Sequence, residues 1–446
     1  MNSNNINIAG LPADLTNNKF ILNNYYNVKN VKSFYEVMNT YNDEKKKSFC
    51  GLESAIINLT QYNNNFNFFD NVLPSIVYRA QNLELNLIST PPILNGIPIY
   101  GGIIPLLDLN SNSELIISRN LGASLLANMF LCTMIPNMNR YMNSISFLKL
   151  FQTRHNQEIA KLQMIIHYFY RICNKDLLGD ICIRRSYVNS MNNYNWTNSN
   201  KPLLPLSFAE KMIGFEQEPH FAHVDFANTY IGGGVLSGGC VQEEIRFAIC
   251  PELLLSMLVC SRIGDFEAIQ ICGTEQFSNY IGYGFNLKFG GDYVDQTLRD
   301  KYGNILSEVI AIDALDFRND NSSIYNQLSE NNLLRELNKL YAGFMPYNNL
   351  QQQRTIATGN WGCGVFLGCV QLKALLQWAV ASQCNRKIKY FPYEQNMGPL
   401  FESLSIWIVH RKVSVGELLS VLFKLKHDET INEDKIFMKV YRTLKN

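Results

Sequence analysis

The chain lacks any apolar run long enough to cross a bilayer. The longest, around Leu121 to Ile135, is interrupted by Asn128 and falls short of the roughly 20 residues a spanning helix needs. The opening residues, MNSNNINIAG, are polar from the start, so no secretory leader is expected and the chain reads as intracellular. Neither sign of charge is in excess. With 39 basic and 38 acidic side chains the formal net charge is +1, so no global field steers an acidic polymer and any affinity for an anion has to be local. Direct binding of nucleic acid is not expected.

Metal-ligand patterns are missing as well. The 11 cysteines form no CxxC pair and match no histidine spacing. Cys240, Cys250, Cys260 and Cys272 recur about every ten residues and read as buried free thiols of a reducing compartment. His220 and His223 make an HxxH without helical context or a third ligand, and the other four histidines are isolated, so neither a metal nor a catalytic histidine is expected. There is no GxxxxGK[ST] phosphate loop and no clean GxGxxG.

What the chain does have is a core. Hydrophobic residues make up 47% and aromatics 12% of its 446 residues, enough for two or three domains. Residues 1–30 are Asn-rich and polar and read as an arm. The run Asp43-Glu44-Lys45-Lys46-Lys47 reads as a solvated turn. Residues 31–150 carry mainly helical periodicity, broken by Pro74, Pro91, Pro92 and Pro105, and read as an accessory domain.

Beyond 150 the texture changes. A helix is expected around Glu158 to Cys173, with Leu162, Ile165, Ile166 and Phe169 on one face, then a strand from Gly179 and a polar loop over 189–200. Strand signals at His223–Ala227, Glu267–Cys272, Ser307–Asp313, Arg354–Thr358 and Lys387–Phe391 then alternate with helix signals. The helices are expected at Val241–Ile249, Pro251–Arg262, Glu330–Tyr341, Val370–Cys384 and Val415–Lys424. Alternation of this kind predicts an α/β domain over 151–446, its ligand site outside the carboxyl ends of the strands.

One stretch concentrates the chemistry. Val224 to Ile249 reads VDFANTYIGGGVLSGGCVQEEIRFAI. Gly232, Gly233 and Gly234 let backbone N–H groups approach a ligand closely, and a helix after them favours an anion such as a phosphate. Glu243 and Glu244 supply carboxylates beside it for acid–base work. On a helix, adjacent residues point about 100° apart, so the two acids are expected to do different jobs. A second strand–glycine loop–helix unit, Ala357 to Gly364, suggests a diphosphate gripped from two sides. Gly273 to Tyr283 puts aromatics in a glycine-punctuated loop, suited to stacking on a base or ribose.

These residues resemble the poly(ADP-ribose) glycohydrolase family. Gly232 to Gly234, then seven residues, then Gln242-Glu243-Glu244 matches its GGG-x(6–8)-QEE signature. VDFAN, GTEQ, IDALDF (Ile312 to Phe317), RELNKLYAGF (Arg335 to Phe344) and ATGNWGCG extend the match over about Leu121 to Phe423. The resemblance implies a macrodomain-like mixed sheet flanked by helices, preceded by a mainly helical accessory domain. It also implies hydrolysis of the ribose–ribose O-glycosidic bonds of poly(ADP-ribose), including chains on ADP-ribosylated proteins, with release of ADP-ribose, without metal or cofactor.

By motif position, Glu244 resembles the general acid that then serves as base. Glu243 resembles the carboxylate that holds ribose hydroxyls, Gln242 its neighbour at the substrate, and Asp225 and Asn228 the residues that orient the ribose and the loop. Gly232, Gly233 and Gly234 would lie along the diphosphate. Gly359, Asn360, Gly362, Cys363 and Gly364 would close the other side. Tyr283 resembles an aromatic clasp, with Thr274 and Glu275 in the same loop counted among the binding residues, and Phe215-Glu216 would meet the adenine. Cys240 replaces a more ordinary aliphatic residue, and Tyr393 stands where the family often has phenylalanine near the ribose. The resemblance further implies a place in carbohydrate metabolism and the DNA damage response, in nucleus or cytoplasm. The rival reading is a macrodomain that binds ADP-ribose or its polymer without turnover.

Overall fold

The computed structural model describes residues 11–12, 15–42, 48–135, 141–188, 195–209, 214–318, 323–347, 354–393 and 397–446. The charged run at 43–47 and half of the polar loop at 189–200 lie outside them. The chain forms two compact units: Met1–Arg185 with Thr229–Arg262 and Ile271–Ser307, and Ser186–Asn228 with Ile263–Gln270 and Glu308–Asn446. No single boundary at 150 separates them, because the chain returns to the first unit twice. The Asn156–Arg171 helix explains why the first unit continues past 150. It is buried from Gln157 to Phe169 and packs on the Cys50–Tyr62 and Gln242–Ile249 helices, so it needs cover on every side.

The first unit is mainly helical, with an aromatic centre. Phe151 meets Phe34, Phe49 and Phe130 with ring centroids 5.9, 5.4 and 5.1 Å apart, within the range of favourable aromatic pairs. Two features depart from expectation. The segment expected as an arm is helical over Leu15–Asn23, and it buries Leu22, Tyr25 and Val28. The segment expected as helical contains a strand, Ser113–Ser118, paired antiparallel with the Asp180–Tyr187 strand from Ser113↔Arg185 to Ser118↔Asp180. Short strands at Ile93–Leu94 and Ile97–Pro98 extend that ladder. A separate hairpin pairs Ser278–Ile281 with Lys288–Asp292.

The second unit is built on a parallel ladder in the order Leu206–Phe208, Ile388–Phe391, Ile356–Gly359, Ala222–Ala227, Glu308–Asp313, with residues 267–270 next in line. The helices Glu330–Phe344, Val370–Gln383, Met397–His410, Val415–Leu425 and Ile436–Lys445 supply apolar faces to a core containing Trp196, Trp361 and Trp378. Both senses of pairing and the flanking helices agree with the expected mixed α/β architecture. Because these strands run parallel, their carboxyl ends share one edge. Asn228, Ala314, Asn360 and Tyr393 follow there, where open parallel sheets place their ligands.

Candidate active site

In the first unit the site is assembled on the turn-rich segment between Thr229 and Val241. The helix Gln242–Ile249 begins at Gln242, and its first-turn acids are both buried, Glu243 at 2% and Glu244 at 7% exposure. Both side chains turn back onto the glycine loop. The Gly232 N–H donates to Oε1 of Glu243 at 2.6 Å, and the Gly234 N–H to Oε1 of Glu244 at 2.9 Å. The Val241 N–H donates to the other oxygen of Glu244, also at 2.9 Å. An amide donor on each oxygen fixes the Glu244 carboxylate in position and orientation.

Gly233 shows why glycine is needed here. Its φ is +49°, and an added Cβ would stand 2.5 Å from Oε1 of Glu244 and 2.6 Å from Oε2 of Glu243. The two acids therefore converge on one point of the backbone. The Gly232 and Gly234 amides hold the carboxylates, and the Gly233 N–H closes a turn to the Tyr230 carbonyl at 3.0 Å.

The Tyr283 hydroxyl accepts from the Gln242 N–H at 3.2 Å, and the Gly284 N–H bonds the Cys240 carbonyl at 3.0 Å. The ring is 51% exposed at the tip of the hairpin.

The rest of that loop does something else. Glu275 takes Arg119 at 2.7 Å and Arg299 at 2.8 Å, while buried Glu252 takes Arg119 at 2.8 Å and the Glu275 N–H at 2.8 Å. Thr274 is 1% exposed, and its carbonyl accepts from Ser307 at 2.7 Å. Thr274 is interior, and the partly exposed Glu275 is held in ion pairs, because an arginine buried at position 119 requires carboxylate partners.

The second unit carries the remaining candidates. Asp225 is fully buried within its strand opposite Ala311, and Asn228 is exposed just past the strand end. Oδ1 of Asn360 accepts from the Tyr390 hydroxyl at 2.9 Å. The loop around Asn360 rests on buried supports. Gln377 donates to the Gly359 carbonyl at 3.0 Å, the Trp361 indole donates to the Ile312 carbonyl at 2.9 Å, and the Lys373 ammonium lies 4.3 Å from the Trp361 ring centroid.

At Gly359 a Cβ would meet the Phe391 carbonyl oxygen at 2.7 Å, and at Gly362 the Ala314 Cβ at 2.4 Å, so packing alone accounts for glycine at both positions. Cys363 folds back, its N–H bonding the Asn360 carbonyl at 3.0 Å, and Gly364 is exposed with open space around it. Tyr393 is 42% exposed. Phe215 is fully buried in a cluster with Ala357 and Phe391, and Glu216 is buried beside it in sequence.

Beneath the Asn360 loop lies an ion network that RELNKLYAGF encodes. Asp313 bonds Arg335 and Lys339, each at 2.7 Å, and Glu336 bonds Lys373 at 2.9 Å. Burial alone would raise the Asp313 pKa, but the two cations outweigh it and hold the carboxyl below its ordinary value.

Sequence reasoning missed two residues of the first unit that touch the glycine loop. Lys161 and Asn143 bond its carbonyl groups. A lysine beside the Leu162–Ile165 face, one turn before Ile165, carries no signal in the sequence beyond that of a residue at the edge of an apolar stripe. Among the described residues, no group of three or more His, Cys, Asp or Glu side chains is arranged to hold a metal ion.

Comparison with known proteins agrees with this architecture. Residues 60–185 match the model of the poly(ADP-ribose) glycohydrolase helical domain, and residues 193–398 the model of its macro domain fold. The chain is 29% identical to poly(ADP-ribose) glycohydrolase 1 of Arabidopsis thaliana over 435 residues, covering 80% of this chain and 78% of that one. It is 30% identical over 414 residues to probable poly(ADP-ribose) glycohydrolase 2 of the same plant, covering 79% and 77%. It is 31% identical over 287 residues to poly(ADP-ribose) glycohydrolase 1 of Caenorhabditis elegans, covering 62% and 37%. A helical domain ahead of a macrodomain-fold hydrolase domain is the class that these matches define. The chain belongs to the poly(ADP-ribose) glycohydrolase family.

Proposed function

We propose that this chain hydrolyses the ribose–ribose O-glycosidic bonds of poly(ADP-ribose) and releases ADP-ribose. The observation that carries this reading is the convergence of the buried Glu243 and Glu244 carboxylates on Gly233, each locked by a loop amide. Glu244 gives its proton to the bridging oxygen as the glycosidic C–O bond breaks. It then takes a proton from the water whose oxygen bonds the anomeric carbon, which restores the acid. Glu243 holds ribose hydroxyls, and the carboxylate left on Glu244 once its proton is given stabilises the oxocarbenium-like charge. Tyr283, with its ring exposed and its hydroxyl on Gln242, stacks on the substrate. Asp225, Asn228, Asn360 and Tyr393 are proposed as substrate residues of the second unit, on their motif positions and, for the last three, on the shared strand edge. Gly232 and Gly234 act by setting the acids.

No helix among the described residues is long and apolar enough to cross a membrane. A role in the DNA damage response, in nucleus or cytoplasm, rests on the family resemblance alone.

The test is incubation of the purified chain with radiolabelled poly(ADP-ribose) in a chelator, with product separated on thin layers. Free ADP-ribose is expected. Polymer binding without release favours the reader alternative, and activity that returns only with added metal contradicts the metal-free reading.

A further inference from the structure

The glycine loop sorts its polar groups by side. Its amides at Gly232 and Gly234 face the two acids, and its carbonyls face two side chains from elsewhere in the first unit. Lys161, fully buried on the Asn156–Arg171 helix, donates its ammonium to the carbonyls of Gly234 at 3.1 Å and Ser237 at 2.6 Å, and to that of Gly239. The Asn143 amide donates to the carbonyls of Ile231 and Gly233, both at 3.0 Å, with Tyr230 at 3.3 Å.

An ammonium has three N–H donors, and this one spends all three on a single loop. Burying such a charge is costly unless it is fully hydrogen-bonded, so its place beneath this loop calls for a reason beyond packing. Gly234 and Gly239 each stand between Lys161 and Glu244. Gly234 offers its carbonyl to Lys161 and its N–H to Glu244. Gly239 offers its carbonyl to Lys161, and a Cβ there would lie 2.5 Å from Oε1 of Glu244.

We propose that Lys161 is a positioning residue for Glu244: through Gly234 and Gly239 it fixes where the carboxyl sits. This rests on the proposed glycosidase reading. The groups that face the ammonium are Glu244, Glu158 and Cys240. Burial pulls the lysine below its ordinary range, and these three groups pull it back. Burial in turn pushes the Cys240 thiol up to about 11.

The experiment compares Lys161→Met, Lys161→Arg and Asn143→Ala with the wild type on radiolabelled poly(ADP-ribose), measuring kcat and KM, with hydrogen exchange over residues 229–239. Lys161→Met is expected to lower kcat about 10²-fold, the scale of a small misplacement of a catalytic group, with KM within about twofold of wild type. It should also loosen exchange over 234–239. Lys161→Arg keeps the charge but cannot converge on three carbonyls, so its kcat falls too. Asn143→Ala loosens 230–233 and lowers kcat. If Lys161→Met does not fold, Lys161→Gln, neutral yet able to donate to two carbonyls, carries the same test. A folded neutral variant with wild-type kcat and unchanged exchange overturns the proposal. An inactive wild type instead sinks the glycosidase reading on which it rests.

Discussion

A Cβ on Gly233 would stand 2.5 Å from Oε1 of Glu244, on a backbone whose φ is +49°. Gly233→Ala therefore strains the turn by about 1–2 kcal/mol and drives the carboxylates off their loop amides. Activity should be lost before stability. The expected result is a melting temperature lowered by a few degrees and a kcat on poly(ADP-ribose) down by at least about 10²-fold. A kcat within twofold of wild type would show that the acids do not need this convergence.

Tyr283 combines an exposed ring with a hydroxyl that takes the Gln242 N–H. Tyr283→Phe removes only that acceptor, a change of about 0.5–1.5 kcal/mol, and should raise KM less than about tenfold. Tyr283→Ala also removes the stacking surface and should raise KM further. Steady-state kinetics on the polymer separates the two, and equal effects would argue that the ring contributes nothing.

Glu275 belongs to the Arg119 and Arg299 ion pairs. Glu275→Gln leaves the arginine buried at 119 with one fewer charged partner and should destabilise the fold by roughly 3 kcal/mol, read as a lower urea midpoint. KM for the polymer should stay unchanged in the folded fraction. A raised KM at wild-type stability would return Glu275 to the binding surface.

Asp313 makes stability depend on acid. Its folded pKa is depressed, so its contribution is fully present above the unfolded carboxyl value of about 3.9. It is lost as pH falls through the lower folded value. Asp313→Asn removes the carboxylate that Arg335 and Lys339 share and should cost about 3–5 kcal/mol at pH 7, shrinking as the pH falls below the unfolded carboxyl value and through the lower folded one. Thermal melts across that range check both the size and the sign.

Much of this was legible before any coordinates. The strand at Glu267–Cys272 begins and ends where its apolar run meets Asp265 and Gly273, and the helix at Gln242–Ile249 starts one residue inside its expected bound. The Ser113–Ser118 strand was not legible, because six residues of SELIIS cannot be told by periodicity from a short buried helix. Glu243 and Glu244 were found by motif, but their turn back onto the loop amides depends on packing that no spacing records. Lys161 and Asn143 act through the backbone of distant residues, and the ties of the GTEQ residues Thr274 and Glu275 to Ser307, Arg119 and Arg299 are recorded by no spacing. Tertiary hydrogen bonds of this kind join positions 90 residues apart in Asn143 with Gly233 and 156 apart in Arg119 with Glu275.

The most direct test of the whole account is Glu244→Gln under single-turnover conditions with radiolabelled poly(ADP-ribose). Glutamine keeps the shape and can accept the Gly234 amide, but it cannot give the proton. The account predicts polymer binding close to wild type and a rate of ADP-ribose release lower by about 10²–10⁴-fold, the range for loss of a general acid. Release at most of the wild-type rate would contradict it.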